Sequence, residues 1–388
     1  MLSKYSCSSN TTVWRNFMIT VDEAFTPEKF YPGICPQNRK MLFFDIETTG
    51  FSREHHMIYL IGAAAFRNGQ WKLCQWFAQE PQEEPDVIRA FLDFSADYDT
   101  LIHFNGQRFD LPFTRARAEF HQIPWTLEFD ESIDLMNLIK PYRALCHLDN
   151  CRQKSIEKLL GLSSREDVMT GGELIPVYNR YVHKKDSRSL QLLLLHNADD
   201  VRGMTGLTLA AQWPDFFHSR FCFTHQDTTE QGIVLHFENA DGFRMPVLLQ
   251  ADLEYWQLCA GGSTLSLGIH FVEGELKHFY KNYKDYYYLP DEDMVVHKSV
   301  AAFVDPSHRR KATRQNCYVK RKGRFLPQPS PLITPEFQQN PGDKLTCFLY
   351  DTPDAGPADS TFANNDQPDK TPAEIYLREV LKRCIKDC

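Results

Sequence analysis

The chain has 388 residues, 42% of them hydrophobic and 13% aromatic, enough for two domains with cores of their own and unlike a charged, disordered coil. A formal net charge of −8 excludes a protein that coats nucleic acid by bulk attraction, but not one that gathers carboxylates at metal ions and needs only a local basic track. No uncharged apolar run reaches the roughly 18 residues of a membrane-spanning helix, and residues 1–40 lack the layout of a secretion signal, so a cytoplasmic location is expected.

In chain order, residues 1–40 read as an extension of mixed polar and aromatic residues with Pro27, Pro32 and Pro36. A short apolar run at 41–46 ends in acids. Apolar stretches at 59–66 and 71–78 flank Asn68-Gly69, which predicts a hairpin. Residues 85–94 predict an amphipathic helix with Val87, Ile88, Phe91 and Leu92 on one face, and 100–104 predict a strand ending at the turn Asn105-Gly106. Helical patterns follow at 111–121, 134–142, 153–160, 172–182 and 187–211. Three strands in succession, then strands alternating with helices, predict an α/β domain over 41–212 with a mixed β-sheet flanked by helices.

Past Trp213-Pro214 the texture shifts to aromatic and β-branched residues at 232–238, 242–249 and 276–289, with Gly261-Gly262 and Gly274 as turns. This predicts a smaller, β-leaning accessory domain over 213–350. Within it, residues 308–324 carry eight Lys or Arg and no acid, and Pro327, Pro329 and Pro331 after them read as a stiff connector. Residues 351–371 read as a disordered linker and 372–386 as a short terminal helix opened by Pro372. Eleven cysteines occur without any C-x-x-C, so reduced, buried thiols are expected; a zinc site around Cys146, His147 and Cys151 is the alternative.

Three places carry chemistry. In a strand, Asp45 and Glu47 of Phe43-Phe44-Asp45-Ile46-Glu47 project from one face while Phe44 and Ile46 enter the core. Two such carboxylates repel unless a cation lies between them, and hard oxygen ligands suit Mg²⁺ or Mn²⁺. Asp110 follows a strand and an Asn-Gly turn and opens a helix, a position equally suited to a cap or a ligand. His196 and Asp200 lie four apart on a helix, on one face, where they can share a bound water.

Together, FDIETTG (44–50), HFNGQRFD (103–110) and HNADDV (196–201) resemble the three ordered motifs of the DEDD, or DnaQ-like, 3′→5′ exonucleases of the RNase H-like superfamily, most closely the YprB-type bacterial RNase H-like domains, over about residues 41–212. The resemblance implies a hydrolase using two divalent ions, Mg²⁺ or Mn²⁺, held by Asp45, Glu47, Asp110 and Asp200, with Asp199 the rival for the fourth place. His196 stands where the tyrosine subgroup has its Tyr, four residues before the last acid; the histidine subgroup would place an acid at 201, which is Val. An imidazole titrates near neutrality and can accept a proton from water. In that family the positions of Thr48, Thr49 and Gly50 border the terminal nucleotide, and Asn105 and Phe109 either shape the same pocket or serve as turn and core.

Arg309, Arg310, Lys311, Arg314, Lys320, Arg321, Lys322 and Arg324 are the candidate backbone-tracking surface, with Tyr318 as a base-stacking ring. The expected partner is a DNA or RNA strand with a free 3′ end. Two alternatives stand beside this reading: a catalytically silent nucleic-acid-binding module on the same fold, and an endonuclease using the same residues. No G-x-x-x-x-G-K-[ST] phosphate loop is present to favour a helicase.

Overall fold

The computed structural model describes residues 11–15, 18–36, 38–167, 169–351, 362 and 371–385. The segment read as a disordered linker lies almost wholly outside them. The chain forms two compact units, one from residues up to 143 with 147–215, the other from 144–146 with 216 onward. Among the described residues no helix is long and apolar enough to cross a membrane.

The first unit is built on a sheet of β1 (Thr11–Arg15), β2 (Met18–Phe25), β3 (Met41–Thr48), β4 (Ile58–Arg67), β5 (Gln70–Phe77), β6 (Thr100–His103) and β7 (Glu131–Asp134), in the order β1-β2-β5-β4-β3-β6-β7. The pairs β3–β6 and β6–β7 are parallel and the others antiparallel, so the predicted mixed α/β architecture is what forms. Asn68 and Gly69 join β4 to β5 with φ of 52° and 79°, the left-handed pair that a tight two-residue hairpin requires.

Helices α1 (Glu84–Ser95) and α2 (Asp110–Phe120) cover one face of the sheet. There Phe44 and Ile46 pack with Val87, Ile88, Phe91 and Phe113, and Phe44 stacks on Phe91 at 5.1 Å between centroids. After α3 (Leu135–Ile139) and α4 (Gln153–Leu159), helices α5 (Gly171–Lys184) and α6 (Ser187–Leu207) cover the other face, packing Leu174, Val177, Tyr178 and Leu193 against Ile19, Tyr59 and Phe77. Since alternate strand residues point to opposite faces, Asp45 and Glu47 are directed to the α6 side.

Residues 1–40 were expected to lie outside the sheet. Instead Met18–Phe25 is an interior strand between β1 and β5, with Ile19 buried. Its apolar residues Ile19, Val21 and Phe25 fall in one strand phase, but Glu23 interrupts it, so the segment reads as mixed polar sequence. β7 was also missed: only Ile133 in Glu131–Asp134 is apolar.

The second unit is β-rich, as expected. β8 (Phe221–Thr228), β9 (Gly232–Asn239), β10 (Met245–Asp252), β11 (Trp256–Gly262) and β12 (Thr264–His270) form one sheet in the order β10-β11-β12-β9-β8. β13 (Val272–Phe279), β14 (Tyr286–Leu289), β15 (Met294–His297), β16 (Arg310–Lys311), β17 (Tyr318–Gln328) and β18 (Thr346–Asp351) form two smaller sheets, β13-β17-β18 and β15-β14-β16. The terminal helix, Pro372–Cys384, begins at the capping residue Thr371 and buries Tyr376, whose hydroxyl accepts from Trp256 Nε1 at 2.8 Å.

Two expectations fail in this unit. Pro327 is not part of a connector but lies inside β17, paired with Cys347 of β18. Tyr318 cannot stack on a base, because it is buried and its hydroxyl donates to Asp293.

Candidate active site

Three elements of the first unit bring the motif acids together. The end of β3 supplies Asp45 and Glu47, the first residue of α2 supplies Asp110, and successive turns of α6 supply His196 and Asp200. All five line one cleft of about 640 Å³. The Asp110 carboxylate accepts from the Ile46 amide at 3.3 Å, which ties the start of α2 to β3. His196 Nε2 is 3.2 Å from Asp200 Oδ2 and 3.5 Å from Glu47 Oε1. Glu47, His196 and Asp200 offer donor atoms that all lie within 4.8 Å of one another.

These acids are gathered at an electrostatic cost. Burial, reinforced by the mutual repulsion of Asp45, Glu47, Asp110 and Asp200, pushes the Asp45 and Glu47 carboxyls well above the usual carboxylate range. Burial carries Asp110 up to about 7. It also raises Asp200, against the pull of Arg165 and His196. A cluster of this kind is stable in its ionised form only with compensating positive charge. Arg165 supplies part of it, bridging Asp200 at 2.6 Å and Glu157 at 2.7 Å.

The adjacent acids of the third motif do different jobs. Asp200 lines the cleft. Asp199 does not; its Oδ2 accepts the backbone amides of Glu166 and Asp167, each at 2.8 Å, and so fastens the segment leading to α5. That segment carries Asp167, whose Oδ2 lies 2.7 Å from His196 Nδ1.

Asn197, next to His196, donates to Asp45 Oδ2 at 3.0 Å, while its own carbonyl oxygen accepts from Gln75 at 2.9 Å. Gly62 of β4, paired with Asp45, makes room for it: a Cβ there would stand 1.9 Å from Asn197 Oδ1. None of Arg165, Asp167, Asn197 or Gly62 was singled out from the sequence. The one available signal was that Asn197 sits inside the third motif on a helix already bearing two candidate residues.

Of the residues expected to border a nucleotide, Thr48, Gly50, Asn105 and Phe109 line the cleft. Thr49 does not; it closes the β3–β4 turn, its hydroxyl accepting from the Met57 amide at 3.0 Å. Asn105 holds φ of 63°, and its amide donates to Asp134 at 2.9 Å, so it also serves as the turn. The cleft gains Phe51, 83% exposed and 6.3 Å from the Phe109 ring, together with Arg152 and the first turn of α5 at Gly171 and Gly172.

The basic residues of the second unit divide. Arg310, Lys311, Arg314, Arg321 and Lys322 are exposed. Arg324 instead pairs with Asp351 at 3.0 Å, Lys320 pairs with Asp293, and Arg309 donates to the Ala301 carbonyl over the Tyr287 ring.

Among the described residues, a second group of potential ligands is His225, Asp227 and His236 on β8 and β9. Cys146 belongs to neither group, so the alternative of a zinc site there finds no support.

Residues 42–211 match the family model described as the RNase H superfamily. The first unit carries an RNase H-like domain. Among solved structures, the family B DNA polymerase of the archaeon Pyrobaculum calidifontis aligns with 47% of this chain and 25% of its own, at 20% identity and a TM-score of 0.38. The zinc-bound complex of E. coli exonuclease I with single-stranded DNA aligns with 41% of this chain and 43% of its own, at 17% identity and a TM-score of 0.26. The same enzyme with a 5cy-dA13 oligonucleotide gives 40%, 45%, 16% and 0.26. The chain thus spans a quarter to under half of the length of these proteins. No curated protein matches it.

Proposed function

We propose that the RNase H-like domain is a divalent-metal-dependent nuclease that removes nucleotides from the 3′ end of a DNA or RNA strand. The observation that carries this reading is the convergence of Asp45, Glu47, Asp110 and Asp200, from three separate elements, on one cleft that also holds His196. Four carboxylates crowded this closely, Glu47 and Asp110 buried and Asp45 and Asp200 half-buried, repel one another unless cations lie among them, and an all-oxygen donor set of this charge fits Mg²⁺ or Mn²⁺. When bound, such ions polarise the scissile phosphate and stabilise the leaving oxygen.

The chain's own residues supply the remainder. Asn197 holds the Asp45 carboxylate in place, and His196 accepts a proton from the attacking water. Thr48, Gly50 and Phe109 bound the space for the terminal nucleotide, and Phe51 offers an exposed ring on which a base can stack. The amides at the start of α5 and the Arg152 guanidinium favour the phosphate. The exposed cations at 310–322 are the proposed track for the strand's backbone.

The test is a digest of 5′-labelled single- and double-stranded DNA and RNA with Mg²⁺ or Mn²⁺, comparing wild type with Asp45→Ala. Stepwise shortening by wild type alone supports the proposal, and equal results from the two proteins end it. Cleavage of a circular strand would instead assign the site to an endonuclease.

A further inference from the structure

Asp167 lies outside every sequence motif, yet its side chain is only 3% exposed and is aimed at the centre of the cleft machinery. Its Oδ1 accepts from the Met169 amide at 3.0 Å, and its Oδ2 accepts from Lys154 Nζ at 2.9 Å and faces His196 Nδ1 at 2.7 Å. Its neighbours other than the imidazole, which include the Arg165 guanidinium at 3.8 Å, can only donate. The carboxylate is therefore ionised and an acceptor on every side, so the Nδ1 it faces must carry a proton. In the neutral ring this leaves the lone pair on Nε2, the nitrogen directed at Glu47 and Asp200. The backbone of Asp167 is in turn fixed by Asp199 from one helical turn beyond His196.

We propose that Asp167 is the positioning residue of His196, selecting the tautomer whose Nε2 can accept a proton at the cleft. This rests on the nuclease reading for its consequence, though not for the contact itself. A loop carboxylate that merely stapled two segments would be indifferent to which ring nitrogen is protonated; a positioning residue is not. With Asp167→Asn, the Met169 amide keeps the carbonyl oxygen as its acceptor, and Lys154 Nζ keeps the Met169 carbonyl to which it also donates. The new amide nitrogen then faces Nδ1 and donates to it, which moves the ring proton to Nε2 and removes the acceptor from the cleft.

The experiment combines two readouts. The tautomer of neutral His196 is read by ¹⁵N-resolved NMR of the histidine ring in wild type and Asp167→Asn, without added metal. Steady-state strand degradation is measured on the same two proteins. The expected result is Nδ1 protonation in wild type, Nε2 protonation in the variant, and kcat lower by about 10- to 100-fold at unchanged KM. Should Asp167→Asn fail to fold, Asp167→Glu keeps the charge and the acceptor, and should retain Nδ1 protonation and more activity than Asp167→Ala. Nε2 protonation in wild type, or a variant with unaltered tautomer and kcat, would overturn the proposal. The expected tautomer shift in a protein that degrades no strand would uphold the contact and defeat the nuclease reading instead.

Discussion

The side-chain amide of Asn197 reaches the Asp45 carboxylate at 3.0 Å through a gap left in β4 by Gly62. A methyl group at 62 would collide with Asn197, forcing α6 outward or turning the amide away. Gly62→Ala is therefore expected to cost about 1–3 kcal/mol, as overpacking does, and to lower strand degradation. Asn197→Ala should lower activity with the sheet intact. Chemical denaturation and the labelled-strand digest measure the two effects; unchanged activity in both variants would show that Asp45 needs no such support.

The Glu84 carboxylate is buried and accepts from Arg117 at 2.6 and 2.8 Å, from the Ile58 amide at 2.8 Å, and meets His121 at 2.7 Å. Arg117→Ala leaves that charge buried without its main counterion, which typically costs about 3–5 kcal/mol. Urea unfolding should show a lower midpoint at unchanged slope.

Metal-stripped protein should lose stability as pH rises. The Asp45, Glu47 and Asp110 carboxyls hold protons in the folded chain at pH values where the unfolded chain, with carboxyls near 4, has released them. The folded state thus binds more protons, and stability falls with increasing pH through the Asp110 value of about 7. Melts in chelator at about pH 5 and about pH 8 should show the lower Tm at the higher pH, and added Mn²⁺ should recover more of it there. A Tm independent of pH would contradict the crowding of acids described above.

Asp199 and Asp200 should separate cleanly. Asp200→Ala is expected to weaken Mn²⁺ binding by calorimetry with little loss of stability. Asp199→Ala strands two backbone amides and should cost about 1–3 kcal/mol while ion binding persists. The opposite pattern would exchange their assignments.

For the second unit, deleting the basic segment would remove β17, the central strand of its sheet, so substitution is the better probe. Replacing Arg310, Lys311, Arg321 and Lys322 by Ala should weaken strand binding and flatten its dependence on salt, by about 0.7–0.9 in log–log slope for each phosphate that is no longer neutralised. An unaltered slope would return these residues to ordinary solvated surface.

Much of the RNase H-like sheet was legible because its signals are local. Phe44 and Ile46 alternating with Asp45 and Glu47 announce a strand with one wet face, and Asn68-Gly69 announces the hairpin. What escaped depends on residues distant in the chain: Asp167 meets His196 across 29 positions, and Asn197 meets Asp45 across 152. No periodicity encodes such pairs. In β17, likewise, the run of cations was plain, but their partners sit elsewhere, Asp293 in the β14–β15 turn and Asp351 on β18.

Consecutive α-helical residues are rotated by about 100° around the axis, so the tandem acids of α6 cannot both look into the cleft. Inserting a single residue between Ser187 and His196 would turn the downstream helix by that angle, unseating the imidazole and carrying Asp199 toward the cleft in place of Asp200 while the 166–167 tether came undone; deleting one would bring Val201 there instead. Helical phase, more than acidity itself, is what this part of the chain has to preserve.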